Sequence, residues 1–228
     1  MGNLPGMTVP TAAPFVPEQA ALDELRVAVQ GCRGCELYKD TTQAVFGAGP
    51  AGARVLVVGE QPGDIEDRRG APFVGPAGKL LDRAFDEAGL DRSAMYVTNA
   101  VKHFKHRPAA PGKRRIHQTP DRVEIVACRP WLVAEFARVR PRAVVALGAT
   151  AAKALFGPDF RVTKSRGLLL PWPDSAQHPE DFPPAEVALA TIHPSAVLRA
   201  DNRDDALAGL VADLRVLRDA MENGADRS

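Results

Sequence analysis

Four short apolar runs constrain the fold of this chain more than any other feature: ARVLVVGE (53–60), AMYVTNAV (94–101), AVVALG (143–148) and EVALATIH (186–193). Each is rich in β-branched and small residues, lacks a polar side and ends in Gly or a polar residue, as strands buried on both faces do. Helical patterns separate them. In GPAGKLLDRAFDEAGL (75–90), Leu80, Leu81, Ala84, Phe85 and Ala88 share one face, and Gly89 can stop the helix. Thr119 and Pro120 read as an N-cap and a first helical residue, opening a helix through VEIVACRPWLVAEFARV that kinks at Pro130. GATAAKALFG (148–157) reads as a short helix and residues 202–221 as a long amphipathic one. Alternating strands and helices predict a three-layer α/β/α sandwich around a central, four-stranded, mainly parallel sheet.

With 228 residues and 45% hydrophobic content the chain can bury one sizeable core. Residues 17–222 are expected to form a single domain, with residues 1–16 and 223–228 as unstructured tails and the Pro-rich stretch 171–185 as a surface loop. No apolar run is long enough for a bilayer, and MGNLPGMTVPTAAPFVP has Pro and Gly where a signal peptide needs an apolar block. A cytoplasmic protein that does not engage a membrane is the expectation. No heptad seam is visible, so a monomer is expected. Three cysteines cannot close a disulfide set, and the CxxC pair Cys32/Cys35 with Cys128 points to a metal or cluster site.

Net charge is only +1, so attraction to nucleic acid has to come from local clustering. Such a cluster exists: six Lys and Arg and three His lie between Lys102 and His117 with no acidic residue among them. In a parallel sheet, ligands bind at the carboxyl ends of the strands. That rule selects Gly59-Glu60-Gln61-Pro62-Gly63, Asn99 and His193-Pro194-Ser195.

At those positions the chain resembles a known family. GEQPG (59–63), GAPFVGPAG (70–78), YVTNAVK (96–102) and HPSAVLR (193–199), with CRGC (32–35) and Cys128, resemble in order the family-four iron–sulfur uracil-DNA glycosylases over roughly residues 30 to 215. KRRIH (113–117) resembles the insertion that marks the UdgX branch, whose members trap uracil-containing DNA covalently through the histidine of that motif. The resemblance implies uracil excision from single-stranded or double-stranded DNA, with free uracil as product.

The side chains suit that chemistry. Uracil presents an N3–H donor beside its O4 acceptor, and the carboxamide of Asn99 offers the complement in one plane, whereas cytosine inverts that edge. An isolated Asn more often caps a turn. Phe73 offers a face on which an extruded base can stack, and plugging the core is the competing role. By resemblance, Glu66 crowds the C5 position of the base against a methyl group. Cleavage develops negative charge on the base and positive charge on the sugar. His193 can donate to uracil O2 even when neutral, and Glu60 can stabilise the sugar cation or take a proton from the attacking group. Gln61 stands where the family pattern often has Ala; an amide cannot act as a base, so Glu60 carries that duty, with Asp64 a weaker candidate or a hydrogen-bond partner.

His117, a neutral imidazole near C1′, can attack the sugar in place of water and leave a bond that does not turn over. Lys113, Arg114 and Arg115, with Lys102, Lys105 and Arg107, read as phosphate contacts that position the loop, and Arg115 also as a lock to the body. Ser195, Leu198 and Arg199 are further DNA-contact candidates, Leu198 as a wedge. By resemblance, a [4Fe-4S] cluster is held by Cys32, Cys35, Cys128 and His103, with His103 standing where the family has a Cys; His106 is the alternative fourth ligand, and three Cys with one His is equally a zinc pattern. Three classes stay open: a covalent trap, a hydrolytic glycosylase in which Glu60 activates water, and a non-catalytic DNA-binding or redox-sensing iron–sulfur protein.

Overall fold

The computed structural model describes residues 10–107, 115–172 and 182–223. Lys113 and Arg114 of the basic stretch, residues 173–181 of the Pro-rich loop and residues 224–228 of the tail expected at 223–228 lie outside the described residues, whereas Asn223 ends the last helix.

The four apolar runs become β1 (Val55–Gly59), β2 (Met95–Asn99), β5 (Ala143–Leu147) and β7 (Val187–Thr191), all parallel, with every residue of the first three buried. The edge strand β6 (Leu169–Pro171), antiparallel to β7, is an addition to the four, and the sheet order is β2-β1-β5-β7-β6. Its Pro171 has no N–H to donate, which an outermost strand tolerates. Because β2 and β5 flank β1 on opposite sides, the chain switches direction between β1 and β5, the place where an α/β sheet opens a crevice.

Alternate strand residues face opposite layers. Leu56, Val58, Tyr96, Val144 and Ala146 pack under α4 (Arg122–Val139) and α5 (Gly148–Phe156) around Trp131, Phe136 and Leu155. Val57, Val97, Val145, Leu147 and Leu189 meet Leu81 and Phe85 of α3 (Pro76–Ala88) and Leu210 and Leu214 of α8 (Arg203–Asn223). The result is the three-layer α/β/α sandwich. Pro76 opens α3, and Gly89 at φ 75° closes it, a left-handed conformation that costs Gly little. No helix among the described residues is long and apolar enough to cross a membrane.

Two local expectations need correction. The N-cap of α4 is Asp121, not Thr119: its carboxylate accepts from the Glu124 N–H at 3.0 Å while Glu124 Oε2 accepts from the Asp121 N–H at 2.8 Å. This reciprocal box satisfies two backbone donors at once, which Thr119 two residues upstream cannot. The N-terminal tail is shorter than 1–16, because Ala12 is 1% exposed and its N–H donates to the Ala127 carbonyl at 2.7 Å, followed by a turn over Ala13–Phe15. An additional helix, α1 (Leu22–Ala28), packs near α4, and Arg138 donates to the Ala20 carbonyl.

The basic stretch forms two short antiparallel arms, β3 (His106–Arg107) and β4 (Ile116–His117), with His106 opposite His117.

Candidate active site

The floor of the site is Gly59, the last residue of β1. A Cβ there would strike both Asn99 Oδ1 and the ring of Phe73, so the missing side chain is the space in which those two groups converge. Phe73 follows α2 (Asp64–Arg69) in a tight loop and holds φ at 55°, an uncommon conformation for an aromatic residue, kept by its surroundings. Glu66 is one restraint: its carboxylate accepts from the Gly75 N–H at 2.8 Å and sits between Gly63 and Gly75. The Phe73 ring lies 6.3 Å from that of His193, with 29° between planes.

His193 leaves β7 and caps α7 (Pro194–Arg199). Its Nδ1 accepts from the Ser195 backbone N–H at 3.1 Å, with Ser195 Oγ 2.8 Å away, so the ring proton resides on Nε2. Burial pushes the imidazole pKa down to about 4 despite the pull of Glu60, and the ring is neutral near pH 7. Ser195 is thereby committed to the ring. Leu198 is half-buried and Arg199 exposed on the same short helix.

Glu60 stands at the switch point, half-buried, with Oε1 3.1 Å from His117 Nε2 and Oε2 accepting from the Thr150 hydroxyl at the start of α5. Burial raises its pKa, but the hydrogen bonds from His117 and Thr150 outweigh it, so the net shift is below the usual carboxylate value. Glu60 is an anion at neutral pH, and the imidazole proton between the pair is on His117 Nε2. His117 is exposed, at the mouth of the site. Thr150 carried no signal in the sequence, since nothing in GATAAKALFG marks it as facing a carboxylate.

The arm that carries His117 is fastened from below. Gln61 spends its carboxamide on backbone: Nε2 donates to the carbonyls of Lys105 (3.2 Å) and Gln118 (3.0 Å), and Oε1 accepts from the Lys105 N–H at 2.9 Å. Arg115 donates to Asp64 (2.5 Å) and Asp67 (2.7 Å), with its side chain only 16% exposed. Of the two roles expected for Arg115, the geometry carries the lock to the body. Asp67 also accepts from the Thr42 N–H. Phe104, 2% exposed, lies under the ring of His117 at 6.1 Å and the guanidinium of Arg115 at 5.3 Å. It is the one apolar residue in KHFKH, a signal the sequence did offer.

Lys102 is not a phosphate contact. It is wholly buried and ion-paired to Glu135, because the turn after β2 points its side chain into the core. Lys105 pairs with Asp121 (3.2 Å) and Glu124 (2.7 Å), leaving Arg107 as an exposed cation of the arms.

Cys32 and Cys128 are buried and Cys35 is half-buried, close enough for their charges to interact. The Trp131 indole N–H donates to Cys32 Sγ at 3.2 Å and the Lys102 N–H to Cys128 Sγ at 3.2 Å, donors that suit ligating thiolates. Burial holds the Cys128 thiol up at about 12, so a bound cation is needed to ionise it. Among the described residues no three metal-binding side chains close on a single ion; a four-iron cluster spreads its ligands farther apart than one ion does. His103 is buried, within electrostatic reach of Arg33 in the CRGC turn. The Nε2 of His106 lies 2.8 Å from the Asp40 carbonyl. The three thiols and the donors aimed at them fit a cluster.

Residues 46–215 match the family model described as the uracil DNA glycosylase superfamily. The chain is 36% identical over 187 residues to a Type-4 uracil-DNA glycosylase of Sulfurisphaera tokodaii, covering 80% of this chain and 78% of that protein. It is 37% identical over 184 residues to the Type-4 uracil-DNA glycosylase of Thermotoga maritima, covering 80% and 85%.

Proposed function

The chain belongs to the uracil-DNA glycosylase superfamily, and from that premise we propose that it excises uracil from DNA and that His117 then captures C1′ of the sugar. The contact between Glu60 Oε1 and His117 Nε2, 3.1 Å long and at the mouth of the site, carries the reading.

In this scheme the flipped base stacks on Phe73, the Asn99 carboxamide reads N3–H and O4, and Glu66 limits space at C5. The C1′–N1 bond breaks with its electrons passing to the base, where the Nε2–H of His193 donates to O2 as that oxygen gains charge. The anionic Glu60 steadies the sugar cation. The imidazole nitrogen bearing the lone pair then bonds to C1′, and the proton on the other nitrogen passes to Glu60. The product is a neutral substituted imidazole, a poor leaving group, so turnover stops. Gln61 and the Asp64/Asp67 clamp on Arg115 hold the His117 arm over the sugar. Cys32, Cys35, His103 and Cys128 would hold a [4Fe-4S] cluster, which when bound ties the N-terminal segment, the turn after β2 and α4 into one wall; Lys113, Arg114 and Arg199 are the proposed phosphate contacts.

The test is a single-stranded oligonucleotide carrying one uracil, run on a denaturing gel beside a His117→Ala variant. The trap predicts a heat- and detergent-stable band in the wild type alone, with the variant giving no adduct. Free abasic product without an adduct would mean a hydrolytic enzyme in which Glu60 activates water, a reading the Type-4 relatives support equally.

A further inference from the structure

Beneath Asn99 lies an ion pair that the chemistry above does not use. Lys102 and Glu135 are both 0% exposed. Lys102 Nζ spends its three donors on Glu135 Oε2 (2.5 Å), Thr98 Oγ1 (2.8 Å) and the backbone carbonyl of Asn99 (2.7 Å). Glu135 Oε1 accepts from the Gly47 N–H (2.8 Å) and the Tyr96 hydroxyl (3.0 Å), and the Thr98 hydroxyl lies 2.9 Å from both carboxylate oxygens. The network is closed.

A buried pair of this kind is a poor source of stability, because desolvating two ions offsets much of their attraction, and apolar residues of similar size often serve as well. Its position says more. The segment it grips, Asn99 to Lys102, also donates from the Ala100 N–H to the Gly59 carbonyl (2.9 Å) and from the Val101 N–H to the Glu60 carbonyl (3.0 Å). One turn of chain therefore carries the base-reading carboxamide, borders the pocket floor and pins the backbone of Glu60. A carboxamide rotated by half a turn exchanges its donor and acceptor, and would then complement cytosine.

We propose that the Lys102–Glu135 pair is a positioning and specificity-determining device, fixing the end of β2 so that Asn99 presents one orientation to the base and Glu60 one height to the sugar. The proposal rests on the uracil-excising reading.

The test is the double variant Lys102→Met/Glu135→Gln, which removes both charges, leaves a carbonyl to accept from Gly47 and Tyr96, and lets the new amide donate to Thr98. Thr98→Val, which removes the bridging hydroxyl at nearly constant volume, is a second route should the double variant not fold. The expected result is a folded protein whose uracil release slows about a hundredfold, the loss that roughly 1 Å of misplacement brings. Most of the loss is expected in the single-turnover rate constant at saturating protein rather than in the protein concentration that half-saturates it, with a smaller ratio of uracil to cytosine release. Independently of any reaction, the Asn99 side-chain amide resonances should pass from one sharp pair to exchange-broadened or doubled signals. A folded variant with wild-type rate, ratio and Asn99 resonances would overturn the proposal. Wild-type protein that releases no uracil would instead sink the reading beneath it, and the Asn99 resonances would still decide the positioning role.

Discussion

Glu60 is legible from sequence as a carboxylate at a strand end, yet its behaviour depends on Thr150, which the sequence leaves unmarked. Thr150→Val removes the hydroxyl that helps hold Glu60 below its usual pKa, so the acid limb of the pH–rate profile should move to higher pH. Uracil release should slow by roughly tenfold, part of the ~10²–10⁴ that a positioned acid or base supplies. Thr150→Ser should restore both. For His193 the expectation is a ring titration by NMR with its midpoint near 4 and not at 6.5, the ordinary value of an imidazole side chain. Between those values the unfolded imidazole binds a proton that the native one does not, so His193 makes the fold less stable as pH falls through that window, and the urea midpoint of the wild type should fall relative to that of His193→Gln with acidification.

At the scale of elements, charge in the basic stretch is less available than composition suggests. Lys102, Lys105 and Arg115 are all paired inside the protein. Arg115→Gln should therefore leave the log–log salt slope of DNA binding unchanged, where loss of a phosphate contact would reduce it by about 0.7 to 0.9. The same variant should lower folding stability by about 1.5–3 kcal/mol, the range for hydrogen bonds to charged groups, read from urea denaturation. Strands β1, β2, β5 and β7 were readable because buried parallel strands are continuously apolar, and α3 because Gly75, Pro76 and Gly89 bracket one apolar face. Strand β6 was not, since three residues at a half-exposed edge leave no periodic trace. The start of α4 was misplaced by proximity of two signals: Thr119-Pro120 resembles an opening, but the reciprocal contact of Asp121 and Glu124 decides it.

For the whole molecule, the thiol site joins parts of the chain distant in sequence. Cys128→Ala should lose stoichiometric iron and acid-labile sulfide and release the contact of Ala12 with Ala127, detectable as faster proteolysis near the N-terminus; full iron retention would argue against Cys128 as a ligand. By itself the sequence determined the layer order, the strand ends and the residue types gathered there, because periodicity and hydrogen-bonding chemistry are local properties. Only the tertiary structure decided which polar groups are free to act. Gln61, Arg115 and Lys102 look available in one dimension, but each is engaged by at least one partner 33 to 57 positions away. In a buried site every donor must find an acceptor, and which one it finds depends on how the sheet brings the loops together.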